Sequence, residues 1–540
     1  MSKMRFLYRY MRNSKRETII VFVMMVLLTI LNVLPGLIVK DIFDVGIVNM
    51  NYTRIIAMCF ALVIIYTIIS VLNYKSTFIL GACSNVLVTN VRDDVVSKTM
   101  KLPMDFFSMH ESGYVTSRIG EVSGISSLLS VSTMKSIISL FQFIGVSVVL
   151  FSINPLLTFA LLAITPLFFI LGRRNTREMV KASERAVEQS ARLNSKIQES
   201  MQGIEEVKNL SVEENEAQKI KRENGELLKL SIKQTDRYTL GIETLAYLGK
   251  LMSVFLIAMG GYMIAKNTIS LGDYMTFSTY LGMLYAPMQS LAVLSISLSP
   301  AIVSLGRIMD FMNEINEDET DANKKVLDKI TSIEFINVDF KYSSQNCFAV
   351  KNINFLLEDR DKLMIKGENG SGKTTILRLI LALYNPTRGK ILVNGTNELS
   401  YKRSGIRGRI SIVSQKVYVF SGTVEENIIY GTGLSPRDAE AMINKLKITG
   451  ILEQVSLQKQ IIVQGNTCNL SGGQIQRIAL ARGILKGSDV FLFDESTSGL
   501  DDEGVGALKR IVTDVLSEKI CVFVEHGNEL DVLCNKTITI

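Results

Sequence analysis

The eight residues Gly367-Glu368-Asn369-Gly370-Ser371-Gly372-Lys373-Thr374 decide the fold of the second half of the chain. They fit the pattern G-x-x-x-x-G-K-[S/T], in which glycines let backbone N–H groups wrap a phosphate and the following helix adds a favourable dipole. A strand-like run, residues 362–366, precedes the motif, and a helix-compatible run, residues 376–383, follows it. This context predicts an α/β P-loop nucleotide-binding domain in which Lys373 neutralises the β- and γ-phosphates of ATP and Thr374 binds Mg²⁺.

An apolar strand that ends in two carboxylates, Val490-Phe491-Leu492-Phe493-Asp494-Glu495, follows about 120 residues later. Parallel strands deliver the residues at their carboxyl ends to the ligand crevice. We therefore predict that Asp494 binds Mg²⁺ through water and that Glu495 polarises the attacking water.

A second anion-binding helix start lies at Leu470-Ser471-Gly472-Gly473-Gln474, directly before a helix-compatible stretch. One domain has no obvious use for two phosphate cradles. We therefore expect the pentapeptide to bind the γ-phosphate of a nucleotide held by another copy, so that ATP lies between two domains.

The composition argues against a purely soluble enzyme, because 47% of the 540 residues are hydrophobic and only 21% are charged. The mean hydropathy is +0.26. A spanning helix needs about 20 apolar residues. Six stretches with at most one charged residue meet this need and are predicted spans: residues 18–39, 55–74, 136–153, 156–172, 245–265 and 274–300. A cleaved signal peptide is the alternative for the first stretch, but its apolar run is too long for a signal core.

Basic residues set the orientation. The short loops on one side hold only Lys40, Arg54 and Lys266, whereas the segments on the other side, residues 1–16, 75–135 and 173–250, hold 6, 6 and 15. The positive-inside rule places the basic side, and with it the nucleotide-binding domain, in the cytoplasm. We expect a multi-pass protein surrounded by membrane lipid. The compact size of the chain and the absence of a transit segment lead us to expect a bacterial plasma membrane.

The domain boundaries follow from the same pattern. Residues 1–312 form the predicted transmembrane domain, residues 313–330 an acidic linker, and residues 331–540 the nucleotide-binding domain. Two long polar segments extend the spans below the membrane and reverse at about 103–113 and 206–216. We interpret these reversals as coupling regions; solvated charged helices are the alternative.

Several functional classes are excluded or made improbable by residue counts. The 59 basic and 52 acidic residues are interleaved and give a net charge of +7, so the charge is not a nucleic-acid footprint. The six cysteines form no CxxC pair, and two histidines cannot build a histidine-based metal site.

Six spans followed by these motifs resemble an ATP-binding cassette (ABC) exporter of the half-transporter type: a six-helix membrane domain fused to one nucleotide-binding domain. The resemblance implies an ATP hydrolase. It also implies roles for Tyr342, which would stack on adenine, for Gln415, which would reach Mg²⁺ and water, and for His526, the switch histidine.

The resemblance implies that Glu495, His526 and Gln415 are catalytic and that Tyr342 binds the nucleotide. It assigns these further residues to nucleotide binding: Gly367, Asn369, Gly370, Ser371, Gly372, Lys373, Thr374, Thr375, Asp494, Leu470, Ser471, Gly472, Gly473, Gln474 and Asp501. Thr374, Gln415 and Asp494 are the expected Mg²⁺ ligands among them.

Three departures from the family pattern stand out. Residues 462–467 lack the acidic residue usual in the exporter X-loop, and Gly527 follows His526 where Arg is frequent. The sequence stops at Ile540, so we expect a reduced C-terminal part of the domain. Few residues precede the first span, so we expect no leader cleavage by this chain.

The resemblance implies ATP-driven export of a lipophilic or peptidic substrate by two chains. A homodimer is favoured because the motifs are intact, and a heterodimer is the alternative. Met and Tyr side chains along the sixth span suggest a hydrophobic drug, lipid or peptide as substrate, with plain helix packing as the alternative; they are Met275, Tyr280, Met283, Tyr285 and Met288. An ATP-gated sensor or regulator and a lipid flippase are the competing functions.

Overall fold

The computed structural model describes residues 3–12, 15–110, 112–343, 345, 347–446, 452, 455–457, 459–464, 467–498, 500–525, 527 and 529–540. Within these ranges a few side chains, chiefly in residues 288–299, are not described. The chain divides into two compact units. The first contains the residues up to Ser97 and Thr116–Asn313, and the second contains Lys98–Val115 and Glu314–Ile540.

The first unit consists of helices joined by short turns in its described part. Its helices are Lys3–Met11, Lys15–Asp41, Ile42–Ile47 (π-helical), Tyr52–Thr99, Ser112–Glu121, Val122–Leu129 (3₁₀-helical), Val131–Ile153, Pro155–Leu162, Thr165–Gln202, Ile204–Asn209, Glu213–Ala265 and Leu271–Met312. The helices that end at Thr99 and begin at Ser112 continue into the second unit.

Five helical stretches of the described residues are long and apolar enough to cross a membrane: Lys15–Ile47, Tyr52–Thr99, Gly113–Ile153, Pro155–Gln202 and Glu213–Ala265. They have 33 to 53 residues, whereas a membrane needs about 20, so each has residues to spare beyond the bilayer. The helix Tyr52–Thr99 exposes large apolar side chains such as Phe60 and Val63, as a lipid-facing helix does. The predicted sixth span falls on Leu271–Met312, whose side chains are only partly described, and its assignment stays a prediction.

The predicted hairpin between the third and fourth spans turns at Asn154. The helix Val131–Ile153 ends there, and the Asn154 side chain accepts a hydrogen bond from the backbone N–H of Leu157 at 2.9 Å. The fourth predicted span, residues 156–172, is not one uninterrupted helix. It breaks after Leu162 and resumes at Thr165, because Pro166 lacks the N–H that a continuous helix would need.

The second unit has a five-stranded parallel sheet in the order Lys536–Thr539, Lys362–Lys366, Ile520–Val524, Val490–Asp494, Ile410–Val413. A four-stranded antiparallel sheet has the order Val350–Glu358, Ser332–Phe340, Arg388–Val393, Thr396–Asn397. Two short antiparallel pairs join Gly422–Thr423 to Gln460–Ile461 and Val463–Gln464 to Thr467–Cys468.

The described helices of this unit are Met104–Met109, Glu317–Asp321, Lys373–Ile380, Arg403–Gly408, Val424–Ile429, Pro436–Lys445, Gly472–Leu485 and Asp502–Asp514, with 3₁₀ turns at Glu398–Ser400 and Asp531–Leu533. The central strands Val490–Asp494 and Ile520–Val524 are buried over their whole length. Strands covered on both faces require continuous apolar runs, which these two have. Their carboxyl ends meet at one edge of the sheet, and the phosphate-binding loop begins at that edge.

The acidic linker is a folded part of the second unit. Its helix Glu317–Asp321 places the Glu317 carboxylate 2.6 Å from the Arg407 guanidinium, and the Asp321 side chain accepts the backbone N–H of Arg403 at 2.7 Å. Ile330, near its end, is fully buried. The linker therefore attaches to the nucleotide-binding domain by ion pairs and by apolar burial.

The two predicted coupling regions differ in their surroundings. The first contains the helix Met104–Met109, whose Phe106 is buried within the second unit. The backbone of the preceding Lys101 accepts a hydrogen bond from the N–H of Glu317 at 3.0 Å. The second overlaps the end of the helix Ile204–Asn209, which has no buried residue. The coupling function of both stays a prediction.

Glu398 is a buried carboxyl group that weakens the second unit at neutral pH. Its side chain is 4% exposed and its Oε1 atom has no hydrogen-bond partner among the described residues. Burial raises the pKa of Glu398 to about 8, although Arg403 and Lys324 act in the opposite direction. Between its unfolded pKa and pH 8 the unfolded chain is ionised while the folded chain keeps the proton, so stability falls as the pH rises through this window.

We expect Glu398→Gln to stabilise the second unit, by about 2–4 kcal/mol near pH 7.5 and by much less at pH 5. The amide keeps the shape of the protonated acid and cannot ionise. Differential scanning calorimetry of the full chain at the two pH values measures the difference. Glu440→Gln, on the exposed face of the helix Pro436–Lys445, is the matched control. Equal gains at both pH values would show that Glu398 is ionised in the folded protein.

Candidate active site

The phosphate-binding loop connects the strand Lys362–Lys366 to the helix Lys373–Ile380. Two of its glycines have left-handed backbone angles, Gly370 with φ +84° and Gly372 with φ +102°. A Cβ atom on Gly372 would lie 2.4 Å from Cγ1 of Val350 and 2.5 Å from the carbonyl oxygen of Ala349. Glycine is therefore required at this position both by conformation and by space.

The loop presents hydrogen-bond donors. Lys373 is 7% exposed, and its Nζ donates to the carbonyl oxygens of Gly367 at 2.8 Å and Glu368 at 2.9 Å. The hydroxyl of Ser371 is buried and has no hydrogen-bond partner among the described residues. A buried polar atom without a partner is costly, and a phosphate oxygen would satisfy it. The loop thus fits the phosphate chain of a nucleotide.

Thr374 and Asp494 form the second element of the site. The Thr374 hydroxyl lies 3.1 and 3.3 Å from the two carboxylate oxygens of Asp494, which is 4% exposed. Burial raises the pKa of Asp494, and the nearby Glu495 carboxylate adds to the rise, against the hydrogen bond from Thr374. Hydroxyl and carboxylate oxygens are the ligands that Mg²⁺ prefers, and a cation would favour the ionised form of Asp494.

A Mg²⁺ ion at this point would depend on the phosphates and water for its other ligands. No three His, Cys, Asp or Glu side chains converge anywhere in the described part of the chain. Mg²⁺ commonly takes only one or two carboxylates together with substrate phosphates, so Thr374 and Asp494 fit that donor set.

Glu495 turns from the sheet edge into the cleft. Its backbone has φ +49°, which is uncommon for a residue with a side chain, and its N–H donates to the carbonyl of Val524 at 2.8 Å. Its carboxylate accepts a hydrogen bond from Nε2 of Gln415 at 2.6 Å. Gln415 lies just beyond the strand Ile410–Val413, so two neighbouring strands supply the pair.

The assembled cleft has a volume of about 490 Å³. It is lined by Asn369, Gly370, Gly372, Lys373, Thr374, Thr375, Gln415 and Glu495. The cleft thus combines hydrogen-bond donors for phosphate, from the loop, with the side-chain amide of Gln415 and the carboxylate of Glu495. This geometry can hold a nucleoside triphosphate and orient a water molecule toward its end.

The second helix start belongs to a different surface. Ser471 caps the helix Gly472–Leu485 in a capping box with Gln474, with hydrogen bonds of 3.3 and 3.1 Å, while Leu470 is buried. Ser471 and Gly472 are exposed. Among the described residues that line the cleft, none comes from Leu470 to Gln474.

Tyr342, which follows the strand Ser332–Phe340, contacts the helix Lys373–Ile380 that begins at the phosphate loop. Its hydroxyl is 3.1 Å from the hydroxyl of Thr375 and accepts a hydrogen bond from Arg378 at 3.1 Å. Its ring packs edge-on against Phe340 and Tyr384. Stacking on adenine stays a prediction for this ring.

Asp501 caps the helix Asp502–Asp514 through the N–H of Gly504 at 2.9 Å, and its carboxylate accepts the guanidinium of the buried Arg477 at 2.7 Å. In this structure Asp501 therefore connects two helices of its own domain. The predicted switch residue His526 lies outside the described residues, as do two residues, 465 and 466, of the altered X-loop.

Glu525 is a site residue that the sequence analysis missed. Its carboxylate accepts hydrogen bonds from the hydroxyl of Thr497 at 2.8 Å and the hydroxyl of Ser496 at 3.1 Å. Burial raises the pKa of Glu525, and these hydrogen bonds oppose the rise. Glu525 thereby holds the turn directly after Glu495. The sequence pattern could have predicted this role, because Glu525 directly follows the apolar strand Ile520–Val524 just as Asp494 and Glu495 stand at the end of another apolar strand.

Comparison with known families is consistent with both units. The family model described as ABC transporter transmembrane region matches residues 18–288, and the one described as ABC transporter matches residues 350–498. The transport/processing ATP-binding protein ComA of Streptococcus pneumoniae is 27% identical over 509 residues, which are 93% of this chain and 70% of that protein.

Two further similarities cover nearly the whole chain. The lactococcin-A transport/processing ATP-binding protein LcnC of Lactococcus lactis is 25% identical over 95% of this chain and 72% of its own length. A solved structure of a bacterial Atm1-family ABC exporter with ATP bound superposes with a TM-score of 0.84 at 20% identity, covering 97% of this chain and 93% of that one. This structural similarity bears on the fold alone.

Proposed function

Because the chain belongs to the ABC transporter family, an ATP-hydrolysing, multi-pass membrane protein of the exporter type, we propose that it exports a lipophilic or peptidic substrate across a bacterial plasma membrane by alternating access. The observation that carries the proposal is the cleft that Lys373, Thr374, Gln415 and Glu495 line together, with Gln415 hydrogen-bonded to the Glu495 carboxylate. Long apolar helices in the same chain give ATP hydrolysis a membrane domain to act on.

The residues of the cleft divide the chemistry among them. Lys373 and the loop N–H groups bind the β- and γ-phosphates of the substrate ATP, and Thr374 with Asp494 would hold Mg²⁺, which supplies positive charge against the phosphates. Glu495 accepts a proton from the attacking water, and Gln415, 2.6 Å from its carboxylate, orients both.

Two copies are needed in this proposal. The exposed start of the helix Gly472–Leu485 binds the γ-phosphate of a nucleotide held by the other copy. The helix Ile204–Asn209, which has no buried residue, transmits closure of the two nucleotide-binding domains to the membrane helices. We favour a homodimer, since the phosphate loop, the Ser471 helix start and Glu495 are all present in one chain.

One of the side chains predicted to face the substrate does not do so. Tyr280, predicted as part of a substrate-facing stripe, is fully buried, and its hydroxyl donates to the carbonyl of Val33. Its ring occupies the space beside Gly36, so this side chain serves helix packing. Met275, Met283 and Tyr285 are partly exposed and stay candidates, while the side chain of Met288 lies outside the described residues. Relatives named for lactococcin transport make a secreted peptide the first substrate to test.

Transport in inside-out vesicles separates a pump from an ATP-gated sensor and from a flippase. We expect ATP-dependent accumulation of a labelled apolar peptide inside the vesicles, and its loss in Glu495→Gln. Substrate-stimulated hydrolysis without accumulation would favour the sensor. Movement of a labelled lipid between leaflets without peptide accumulation would favour the flippase. Flux that survives Glu495→Gln would contradict the proposed mechanism.

A further inference from the structure

A cleft rich in basic side chains lies in the first unit between the helices Thr165–Gln202 and Glu213–Ala265 and shares no residue with the nucleotide site. Its upper part has a volume of about 310 Å³. It is lined by Leu171, Arg174, Asn175, Glu178, Arg237 and Leu240. A lower part of about 180 Å³ shares two of these residues and adds Lys181, Arg185 and Lys233. Five cations thus line the two parts together with one carboxylate.

Most of this positive charge is not neutralised within the chain. The side chains of Arg174, Arg185 and Lys233 have neither an ion pair nor a hydrogen bond to any described residue. Lys181 lies 3.6 Å from Glu178, and Arg237 lies 3.7 Å from Asp236. Both pairs are exposed to solvent, and the interaction free energy of exposed ion pairs is small. The cleft therefore keeps a positive potential that favours an anion.

Asn175 supplies an independent sign of a missing acceptor. Its Nδ2 atom is buried without a hydrogen-bond partner among the described residues, and it lines the upper part of the cleft. The two helices approach closely beside it, because a Cβ on Gly241 would lie 3.5 Å from Cβ of Asn175 and 2.7 Å from the sulfur of Met179. This close approach brings the two helices together at Asn175, whose unpartnered amide nitrogen belongs to a residue that lines the cleft.

The height of the upper part matches a lipid headgroup. Gly172 is the last residue of an uncharged run of the sequence. At about 1.5 Å per helical residue, Arg174 and Asn175 lie roughly 3–5 Å beyond it, within the headgroup layer of about 5–8 Å. Leu171 and Leu240 line the same part, so apolar side chains border it together with the guanidinium groups. A soluble anion would make no favourable contact with Leu171 and Leu240, whereas the acyl chain of a lipid would pack against them.

We propose that the upper part of the cleft binds the phosphate headgroup of an anionic lipid of the cytoplasmic leaflet. Arg174, Arg237 and the amide of Asn175 donate to the phosphate, and Leu171 and Leu240 contact the start of the acyl chains. The cations of the lower part raise the local potential. A bound lipid joins the two helices that lead to the helix Ile204–Asn209.

Native mass spectrometry of the full chain with equal amounts of dioleoyl phosphatidylglycerol and phosphatidylcholine tests this site without any need for ATP turnover. We expect selective phosphatidylglycerol binding, reduced roughly 10- to 30-fold in the double variant Arg174→Gln/Arg237→Gln. The matched control is Arg173→Gln/Arg177→Gln, which removes the same charge from exposed positions outside the cleft lining. Equal losses in both double variants would overturn the proposal.

Two further arms keep the test decisive. Asn175→Leu removes no internal hydrogen bond of the amide nitrogen, so it should fold, and we expect it to weaken phosphatidylglycerol binding several-fold. Inorganic phosphate at roughly 10 mM should not displace the lipid, because burial of the acyl chains contributes to lipid binding and not to phosphate binding. Displacement by phosphate would assign the cleft to a soluble anion and contradict the lipid proposal.

Discussion

Glu495→Gln should lower the turnover of ATP roughly 10²- to 10³-fold while ATP binding is retained. Glu495 is the only acid among the described residues that line the cleft, and Gln415 holds its carboxylate at 2.6 Å. The amide preserves size and hydrogen bonding but cannot accept the proton of the attacking water. Steady-state hydrolysis and retention of radiolabelled ATP after rapid gel filtration measure the two effects together.

The control for this substitution is Glu503→Gln, eight residues further along the chain on the exposed start of the helix Asp502–Asp514. It removes one negative charge from the same domain without touching the cleft, and turnover should stay within about twofold of the wild type, as expected for a surface charge. Equal turnover in Glu495→Gln and Glu503→Gln would show that Glu495 does not act as the base in ATP hydrolysis.

Lys373→Ala should weaken ATP binding roughly 10²-fold, since charge-assisted hydrogen bonds to phosphate contribute about 1.5–3 kcal/mol each. The ammonium group is nearly buried and in this structure holds the carbonyls of Gly367 and Glu368. Its loss removes the main cation of the loop and also the bonds that shape it. Equilibrium titration with a fluorescent ATP analogue measures the change in Kd.

Lys390→Ala is the matched control for the lysine, because Lys390 is exposed on the strand Arg388–Val393 of the same unit. Its Kd should remain that of the wild type. Weakened binding in both variants would indicate a general electrostatic effect of the domain, and unchanged binding in Lys373→Ala would mean that the nucleotide binds elsewhere.

The sequence was informative wherever chemistry dictates residue type and spacing. The loop Gly367–Thr374 allows few alternatives, because only glycine accepts the backbone angles and the space at Gly372. Strands buried on both faces must be apolar, so the carboxylates Asp494 and Glu495 at the end of one such strand were recognisable from the sequence as site residues. Their meeting with Gln415 also follows from the parallel order of two strands.

Other features depend on tertiary packing that no local pattern encodes. Tyr280 has the same appearance in sequence as an exposed aromatic, yet Gly36 on another helix leaves the space that buries it. Asp501 carries a family motif, but its carboxylate is engaged by Arg477, which is buried in a neighbouring helix. The basic cleft is likewise invisible in sequence, because its lining residues come from two helices that only tertiary packing brings together.

The rate of ATP hydrolysis by this chain purified alone in lipid nanodiscs tests the central claim most directly. If two identical copies complete each nucleotide site, turnover should occur without a second kind of subunit and should depend on ATP concentration with a Hill coefficient above 1. Full ATP binding without hydrolysis at any concentration would contradict the homodimeric pump and would show that another chain supplies part of the site.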